Sequence, residues 1–296
     1  MVLNASKIKR NRVKRSFLKT GFKGLDILLS GGLRTSSLTI LTGEPGSGKS
    51  TLINQILAEN IYQKNNCFLY TGELDNSDAI QWLKRTVSND YHIKEFNNKQ
   101  GIKYYDISDY TWDLISKWLD ERLFIPDDDF IADKNNVLTV LEDMVVSKGV
   151  RLIILDNLMT LNTGDSEKQY QEQKQLCLQL KQMAKKYDIA VILVAHPKKP
   201  GDKKKGKEKP KASMYDVLGA SEIVNISDNV LRIERLESTT ELIVLKNRWG
   251  GTINRSFDLG FDKRRSRFYT DGSELSMDYG YDTNNQFSQA EIQSPF

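Results

Sequence analysis

The sequence is poor in the residues that cross-link small domains or bind zinc. Its 296 residues include two cysteines, Cys67 and Cys177, and two histidines, His92 and His196. There is no Cys-x-x-Cys pair, so neither a structural zinc site nor a disulfide framework is expected, and a reducing compartment such as the cytoplasm fits. No apolar run approaches the length of a membrane span, so we expect no membrane partner.

Charge is low in total but unevenly distributed. The formal net charge is +4, yet residues 7–19 carry seven Lys/Arg and no acid, and residues 271–296 carry five acids and no Lys/Arg. Such blocks favour flexible segments, and basic ones often meet polyanions. We therefore divide the chain into a basic N-terminal arm (1–20), a folded domain (21–270) and an acidic disordered tail (271–296).

The most specific motif is a complete P-loop of the form G-x-x-x-x-G-K-S. It comprises Gly43, Glu44, Pro45, Gly46, Ser47, Gly48, Lys49, Ser50 and Thr51. An apolar run precedes it and a helical pattern follows, which is the strand–loop–helix context that the motif requires. Glycines let successive amides face a phosphate, Lys49 reaches the β/γ-phosphates, and the Ser50 hydroxyl can bind Mg²⁺. The sequence therefore predicts a site for a nucleoside triphosphate with Mg²⁺.

Polar residues end three of the other apolar runs. Strand and helix patterns alternate, which indicates an α/β fold with a mostly parallel sheet covered on both faces, and the runs after residue 229 suit antiparallel edge strands. The carboxyl ends of parallel strands share one edge, so Glu73, Asp156 and His196 should converge on the P-loop. Asp156 has the position of a Walker B acid that holds Mg²⁺ opposite Ser50.

Two of these residues keep alternative interpretations. Glu73 can polarise the attacking water, but Asp75 is close enough in sequence to compete for that role. His196 either contacts the γ-phosphate or is a structural histidine.

A lysine-rich loop follows His196 directly. Residues 197–212 carry eight lysines against two acids. A flexible lysine tract binds phosphates without reading sequence, although it can also serve solubility alone. The candidate nucleic-acid contacts are Lys198, Lys199, Lys203, Lys204, Lys205 and Lys207.

In this order the motifs resemble the RecA-like ATPase domain of DnaB-like hexameric replicative helicases, especially the branch of phage primase-helicases and mitochondrial Twinkle. The resemblance covers roughly residues 17–270. It is carried by the P-loop, Thr71–Leu74, Leu152–Asn157, Val194–Lys199 with its histidine, Asp216–Val230 and Leu245–Gly251. The resemblance implies a RecA-like P-loop core and a catalytic role for Lys49, Glu73 and His196.

The same resemblance implies an assembly. Arg248 would reach the γ-phosphate of a neighbouring subunit, assisted by Lys246, in a homo-oligomeric ring expected to be a hexamer. ATP or another NTP or dNTP, with Mg²⁺, would drive the ring along single-stranded DNA, which the loops at 159–170 and after Pro197 would contact. Primase, polymerase and single-strand-binding protein are the candidate further partners. No primase or zinc-binding pattern precedes the motor motifs, so priming is not expected of this chain.

Two other functions stay open from the sequence. One is a RecA/RadA/KaiC-like DNA-dependent ATPase that does not unwind DNA; the segments around His196 and Arg248 argue against it. The other is a nucleotide-regulated loader or inactive ring component, which the intact set of Lys49, Glu73 and Asp156 disfavours. The compartment implied is the cytoplasm of a bacterial or phage-infected cell, with the mitochondrial matrix as the less favoured alternative.

Overall fold

A computed structural model describes residues 16–130, 134–161, 166–197 and 220–283. The strands are β1 (Phe17–Leu18), β2 (Leu33–Arg34), β3 (Ser37–Thr42), β4 (Asn66–Thr71), β5 (Ile93–Asn97), β6 (Lys103–Ile107), β7 (Leu123–Phe124), β8 (Val150–Asp156), β9 (Ala190–Val194), β10 (Asn229–Arg235), β11 (Thr240–Asn247), β12 (Arg255–Asp262) and β13 (Arg267–Tyr269). The α-helices are α1 (Lys23–Leu28), α2 (Lys49–Tyr62), α3 (Asn76–Val87), α4 (Asp109–Leu119), α5 (Lys134–Lys148), α6 (Ser166–Tyr187), α7 (Ala220–Ile226) and α8 (Gly272–Leu275). Among these helices, none has the length and apolar character needed to cross a membrane.

One large sheet dominates the described part of the chain, in the order β13-β12-β11-β10-β3-β9-β8-β4-β7. The strands from β10 to β7 are parallel to their neighbours. Strands β11, β12 and β13 extend the sheet in antiparallel fashion. The predicted α/β architecture, mostly parallel with antiparallel strands at its C-terminal edge, is confirmed.

The central strands are largely apolar because both of their faces are covered. Successive side chains of a strand point to opposite faces. Leu152 and Ile154 of β8 therefore pack on the face that α1 to α4 cover, while Ile153 and Leu155 pack on the face that α5 to α7 cover. Burial on both sides explains why β8 reads as a continuous apolar run rather than an alternating one.

The folded domain begins earlier than the charge pattern indicated. Strand β1 pairs with β2, and Leu18 and Thr20 are buried. The Thr20 hydroxyl donates to Asp26 at 2.8 Å. Residues 16–20, predicted to belong to the basic arm, are therefore part of the domain, and the remainder of that arm lies outside the described residues.

The predicted disordered tail also needs correction, at residues 271–283. Asp271 caps α8, accepting hydrogen bonds from the amides of Ser273 and Glu274. Beyond that helix, Tyr279 and Tyr281 are buried against the domain. The acids in this stretch made it look solvated, but its two tyrosines supply the apolar area that fixes it to the core.

Arg267 of β13 forms hydrogen bonds with the carboxyl end of α3. Its guanidinium is fully buried and donates to the carbonyls of Val87 and Ser88 at 2.8 and 2.9 Å, and to that of Met277 at 2.8 Å. The carbonyls at the end of a helix lack partners inside the helix, and here one side chain satisfies three of them, because its Nε also donates to the carbonyl of Thr86. The next residue, Phe268, packs on the P-loop: a Cβ at Gly48 would lie 2.5 Å from its ring.

We predict that Arg267→Ala lowers the free energy of unfolding by about 3 kcal/mol or more, because several buried carbonyls lose their donor and a cavity is left. Urea denaturation followed by tryptophan fluorescence measures this. Arg264, whose side chain is 44% exposed, offers the matched control. Equal losses for Arg264→Ala and Arg267→Ala would contradict the assignment.

Candidate active site

The P-loop links the end of β3 to the start of α2. Gly46 and Gly48 have φ angles of +75° and +104°, which side-chain-bearing residues rarely adopt. The turn brings successive backbone amides toward the amino end of α2, where the helix dipole favours an anion. The Ser47 hydroxyl is buried and has no hydrogen-bond partner within the described chain. An unpaired buried donor inside this turn suits a phosphate oxygen.

Lys49 is buried at the start of α2 and faces its own loop. Its Nζ donates to the carbonyls of Gly43 and Glu44 at 2.9 and 3.0 Å. Burial lowers the pKa of Lys49, while the neighbouring Asp156 and Glu73 carboxylates act in the opposite direction. A cation held among carboxylates and P-loop carbonyls is available to a triphosphate entering the loop.

Asp156 ends β8 close to Ser50. The Ser50 Oγ lies 3.5 Å from Asp156 Oδ2. Burial, followed by the nearby Glu73 carboxylate, raises the pKa of Asp156 to about 6, against the opposing charges of Lys49 and His196. Within the described residues no three His, Cys or acidic side chains cluster to hold a metal unaided. The pair nevertheless fits Mg²⁺, which takes few protein ligands and draws the others from phosphate and water.

Glu73 and His196 lie beside Asp156, at the ends of β4 and β9. His196 Nε2 is 2.9 Å from Glu73 Oε1. Asp75, the competing carboxylate, is instead the N-cap of α3 and accepts the amide of Asp78 at 2.8 Å. The structure therefore brings the three polar strand ends to the P-loop, and Glu73 rather than Asp75 is the carboxylate that lines the cavity.

Asn157 completes this group, and sequence reasoning gave it no separate role. Its Nδ2 donates to Glu73 Oε1 and lies 2.9 Å from His196 Nε2. The available signal was its place directly after the predicted Walker B acid. Chain order alone did not reveal that its amide faces two other strand ends.

The cavity has a second wall that the sequence did not predict. It encloses about 670 Å³, within the range of small-molecule sites. Besides the P-loop and the strand ends, it is lined by the β10–β11 turn (Arg235–Thr240), Phe261 and Phe268. Because these residues lie roughly 200 positions from the P-loop, no local pattern connected them with it.

Lys246 and Arg248 do not line this cavity. They lie at the end of β11, where Asn247 pairs with Asn229 and Asn229 pairs with Thr39 near the start of β3. The P-loop follows the other end of β3, about 13 Å or more along the strands. The six candidate lysines from Lys198 to Lys207 lie outside the described residues.

Fold and site together define a P-loop nucleoside triphosphatase of the RecA-like class: a mostly parallel sheet with the phosphate loop, a candidate Walker B acid and a candidate water-polarising carboxylate at one edge. A sequence model of the DnaB-like helicase C terminal domain matches residues 18–270. The chain therefore belongs to the DnaB-like helicase C-terminal domain family and is a helicase-like ATPase. The resemblance drawn from the motifs is confirmed at this level, and the primase-helicase and Twinkle branch stays a prediction.

Other relatives are DNA repair proteins. The chain is 26% identical to the DNA repair protein RadA of Rickettsia felis over 77% of its own length and 41% of that protein. It is 24% identical to the DNA repair and recombination protein RadB of Archaeoglobus fulgidus, over 80% of the chain and 92% of RadB. The chain thus spans about two fifths of RadA and nearly the whole of RadB.

Among solved structures, the fold matches a DnaB-like replicative helicase that was studied for its interactions with primase. The TM-score is 0.67 at 18% sequence identity, covering 86% of this chain and 62% of that one. At this identity the match shows a shared fold, and it agrees with the architecture of the sheet described above.

We predict that Asp156→Asn stabilises the nucleotide-free protein at pH 7 by roughly 1–3 kcal/mol, because a carboxylate with a raised pKa is costly to bury. The folded state binds the proton more tightly than the unfolded state, so stability should fall as pH rises from about 4 to about 6. The variant should lose this slope. Thermal unfolding in EDTA across this pH range measures both effects.

Asp75→Asn is the matched control, because asparagine caps helices as well as aspartate does. It should leave both the stability and its pH dependence nearly unchanged. If Asp156→Asn were instead less stable than the wild type, burial of the Asp156 carboxylate would not destabilise the folded protein, and the prediction would be wrong.

Proposed function

We propose that the protein is a ring-forming replicative DNA helicase, a motor that hydrolyses ATP or another NTP or dNTP with Mg²⁺, translocates on single-stranded DNA and unwinds duplex. In this proposal Glu73 polarises the attacking water and Lys49 and His196 contact the phosphates. Ser50 and Asp156 hold Mg²⁺. Family membership supports the helicase-like ATPase. The position of Arg248 supports the further proposal that the subunits form a ring.

That position is the main support for shared active sites. Arg248 and the P-loop lie at opposite edges of the same sheet, so Arg248 cannot reach its own γ-phosphate without unpairing β11. A second copy that presents its Arg248 edge to this P-loop would bring the two together. Repeating such a head-to-tail contact closes a ring when the rotation allows it. A cation supplied by a neighbour stabilises the charge of phosphoryl transfer.

The surroundings of Arg248 also suit a phosphate. Arg248 is 42% exposed, and its Nη2 donates to the carbonyl of Asn225 at 2.9 Å. Lys246 Nζ donates to the carbonyls of Val224 and Ser227 at 2.6 and 2.8 Å. Both cations thus rest at the carboxyl end of α7, where the helix dipole favours positive charge.

One buried carboxylate, that of Asp228, forms ion pairs in this group of cations. Asp228 is fully buried, contacts the Lys181 ammonium, and lies 3.6 Å from Arg248 Nη1. Burial, followed by the nearby charges of Arg248, Lys185, Lys246 and Arg34, lowers the pKa of Lys181 to about 7, so positive charge is concentrated here beyond what Asp228 balances. The excess positive charge favours the approach of an anion from outside the subunit.

Nucleic acid and partners complete the proposal. The loop after Asp156 and the lysine loop from Lys198 to Lys207 would contact single-stranded DNA, and the basic arm would link neighbouring subunits. Primase, polymerase or single-strand-binding protein would be further partners. The alternative is a DNA-dependent ATPase that does not unwind, which the RadA and RadB relatives favour. The segments around His196 and Arg248 favour the helicase.

A fork-unwinding assay with ATP, run beside a mass measurement of the assembly, tests the proposal. We expect a hexamer in the presence of nucleotide and Mg²⁺, and strand separation that requires hydrolysis. Hydrolysis stimulated by DNA without strand separation would favour the RadA-like alternative. A monomer that hydrolyses at full rate would contradict shared sites.

We predict that Lys49→Ala and Arg248→Ala each abolish hydrolysis, and that only Arg248→Ala keeps nucleotide binding. Mixing the two should restore up to about one quarter of the wild-type rate, because one interface in four then pairs an intact Lys49 with an intact Arg248. Steady-state phosphate release from the mixed subunits measures this. Arg264→Ala is the exposed arginine control, and an Arg248→Ala protein hydrolysing at the wild-type rate would refute the assignment.

A further inference from the structure

Asn157 occupies a position that the proposed mechanism does not use. It is 1% exposed and directly follows Asp156. Its side-chain Oδ1 accepts hydrogen bonds from the amides of Met159 and Thr160 at 2.8 and 3.3 Å. Because these two donors engage the oxygen, the NH₂ group of the side chain must face the other way, toward Glu73.

The protons around Glu73 can be assigned from donors and acceptors. A carboxylate only accepts, so the 2.9 Å contact of His196 Nε2 with Glu73 Oε1 is a hydrogen bond when Nε2 carries the proton. In that tautomer Nε2 cannot also accept from Asn157 Nδ2, which lies 2.9 Å away, so the amide donates to Glu73 alone. Asn157 Nδ2 donates to the same Oε1. Two donors thus fix one oxygen of Glu73 and leave the other oxygen to accept from water. If His196 turned to a γ-phosphate, Asn157 would be the donor that remains.

The turn around Asn157 also contacts Gly72, the residue that precedes Glu73. The Thr160 hydroxyl donates to the Asn157 carbonyl at 2.9 Å, and a Cβ at Gly72 would lie 2.0 Å from that hydroxyl oxygen. The Gly72 amide donates to the Asp156 carbonyl at 2.6 Å. The turn 157–161 is therefore seated against the residue that precedes Glu73.

The same turn is tied to the strand that carries His196. The Leu158 amide donates to the Val194 carbonyl at 2.8 Å, and Leu158 and Leu161 are buried in the core. A displacement of the turn would therefore move the supports of both Glu73 and His196. The chain that leaves the turn is the segment proposed above to meet single-stranded DNA.

We propose that Asn157 is a positioning residue for hydrolysis: its amide orients Glu73, and its turn transmits DNA engagement to that carboxylate. The inference rests on the proposed hydrolytic role of Glu73. It adds a residue and a route of DNA stimulation to that function. Asn157 touches neither nucleotide nor water in this scheme and acts only through Glu73.

Asn157→Ser removes the hydrogen-bond donor of the side chain and keeps an acceptor, so it tests the two groups separately. A serine hydroxyl still accepts the amides of the turn but is too short to reach Glu73. Asn157→Asp also keeps the turn acceptor and replaces the donor by a carboxylate. Asn98→Ser is the matched control, because the oxygen of that exposed asparagine also accepts two amides of a turn, in the β5–β6 hairpin and outside the lining of the cavity.

The measurements are steady-state ATP hydrolysis with and without oligo(dT), and the affinity for a fluorescent ATP analogue. For Asn157→Ser we expect kcat to fall by about 10–100-fold, as for other residues that orient a catalytic group. Nucleotide affinity should stay within about threefold, and the stimulation by oligo(dT) should fall toward one. Asn157→Asp should lose at least as much, and Asn98→Ser should match the wild type. Wild-type kcat and stimulation in Asn157→Ser would overturn the inference.

A double-mutant cycle with Glu73→Gln distinguishes positioning from general damage. If Asn157 acts through Glu73, Glu73→Gln/Asn157→Ser should hydrolyse no more slowly than Glu73→Gln alone. Multiplicative losses would refute action through Glu73. Wild-type hydrolysis by Glu73→Gln would instead refute the proposed role of Glu73. This cycle measures hydrolysis and not unwinding. Its result can therefore be interpreted even if the protein proves not to be a helicase.

Discussion

The parallel pairing of β3, β9, β8 and β4 is the constraint on which the rest of the structure depends. Each of these strands is buried on both faces, so a charged side chain cannot lie within it without a large desolvation cost. Charge is tolerated where the strands end, and in a parallel sheet those ends share one edge. Lys49, Glu73, Asp156 and His196 are neighbours for this reason, although nearly 150 residues separate the first from the last.

The antiparallel extension gives the sheet a second charged edge. Strand β11 runs against β10, so its last residues lie beside the first residues of β3, far from the P-loop. Lys246 and Arg248 are placed there together with the buried Asp228. One sheet thus carries two complementary charged edges, an anion-binding loop with carboxylates at one and clustered cations at the other. This polarity is the physical basis for proposing that the functional unit contains more than one copy of the chain.

The charged groups at the P-loop edge of the sheet are in environments that a bound ligand would improve. Burial raises the pKa of Asp156 and lowers that of Lys49, so each group is held in an environment that disfavours its charged form. A triphosphate with Mg²⁺ would supply the opposite charge to both at once. The hydrogen bonds around Glu73 show the other side of this arrangement, because its oxygen is already fixed by Asn157 and His196. The buried charge of Asp156 therefore lowers the stability of the nucleotide-free protein, whereas the hydrogen bonds of Glu73 hold that carboxylate in place before nucleotide binds.

The sequence by itself determined the P-loop, the α/β class, the DnaB-like family and the convergence of three polar strand ends, because these follow from local spacing and from the geometry of parallel strands. It misjudged residues 16–20 and 271–283, where local charge concealed a few buried side chains such as Leu18 and Tyr279. Only the tertiary structure decided that Asn157 faces Glu73 and His196, that Phe268 packs on Gly48, and that Arg248 lies across the sheet from its own P-loop. Those contacts join residues distant in the chain, and their direction depends on side-chain packing that no local pattern encodes.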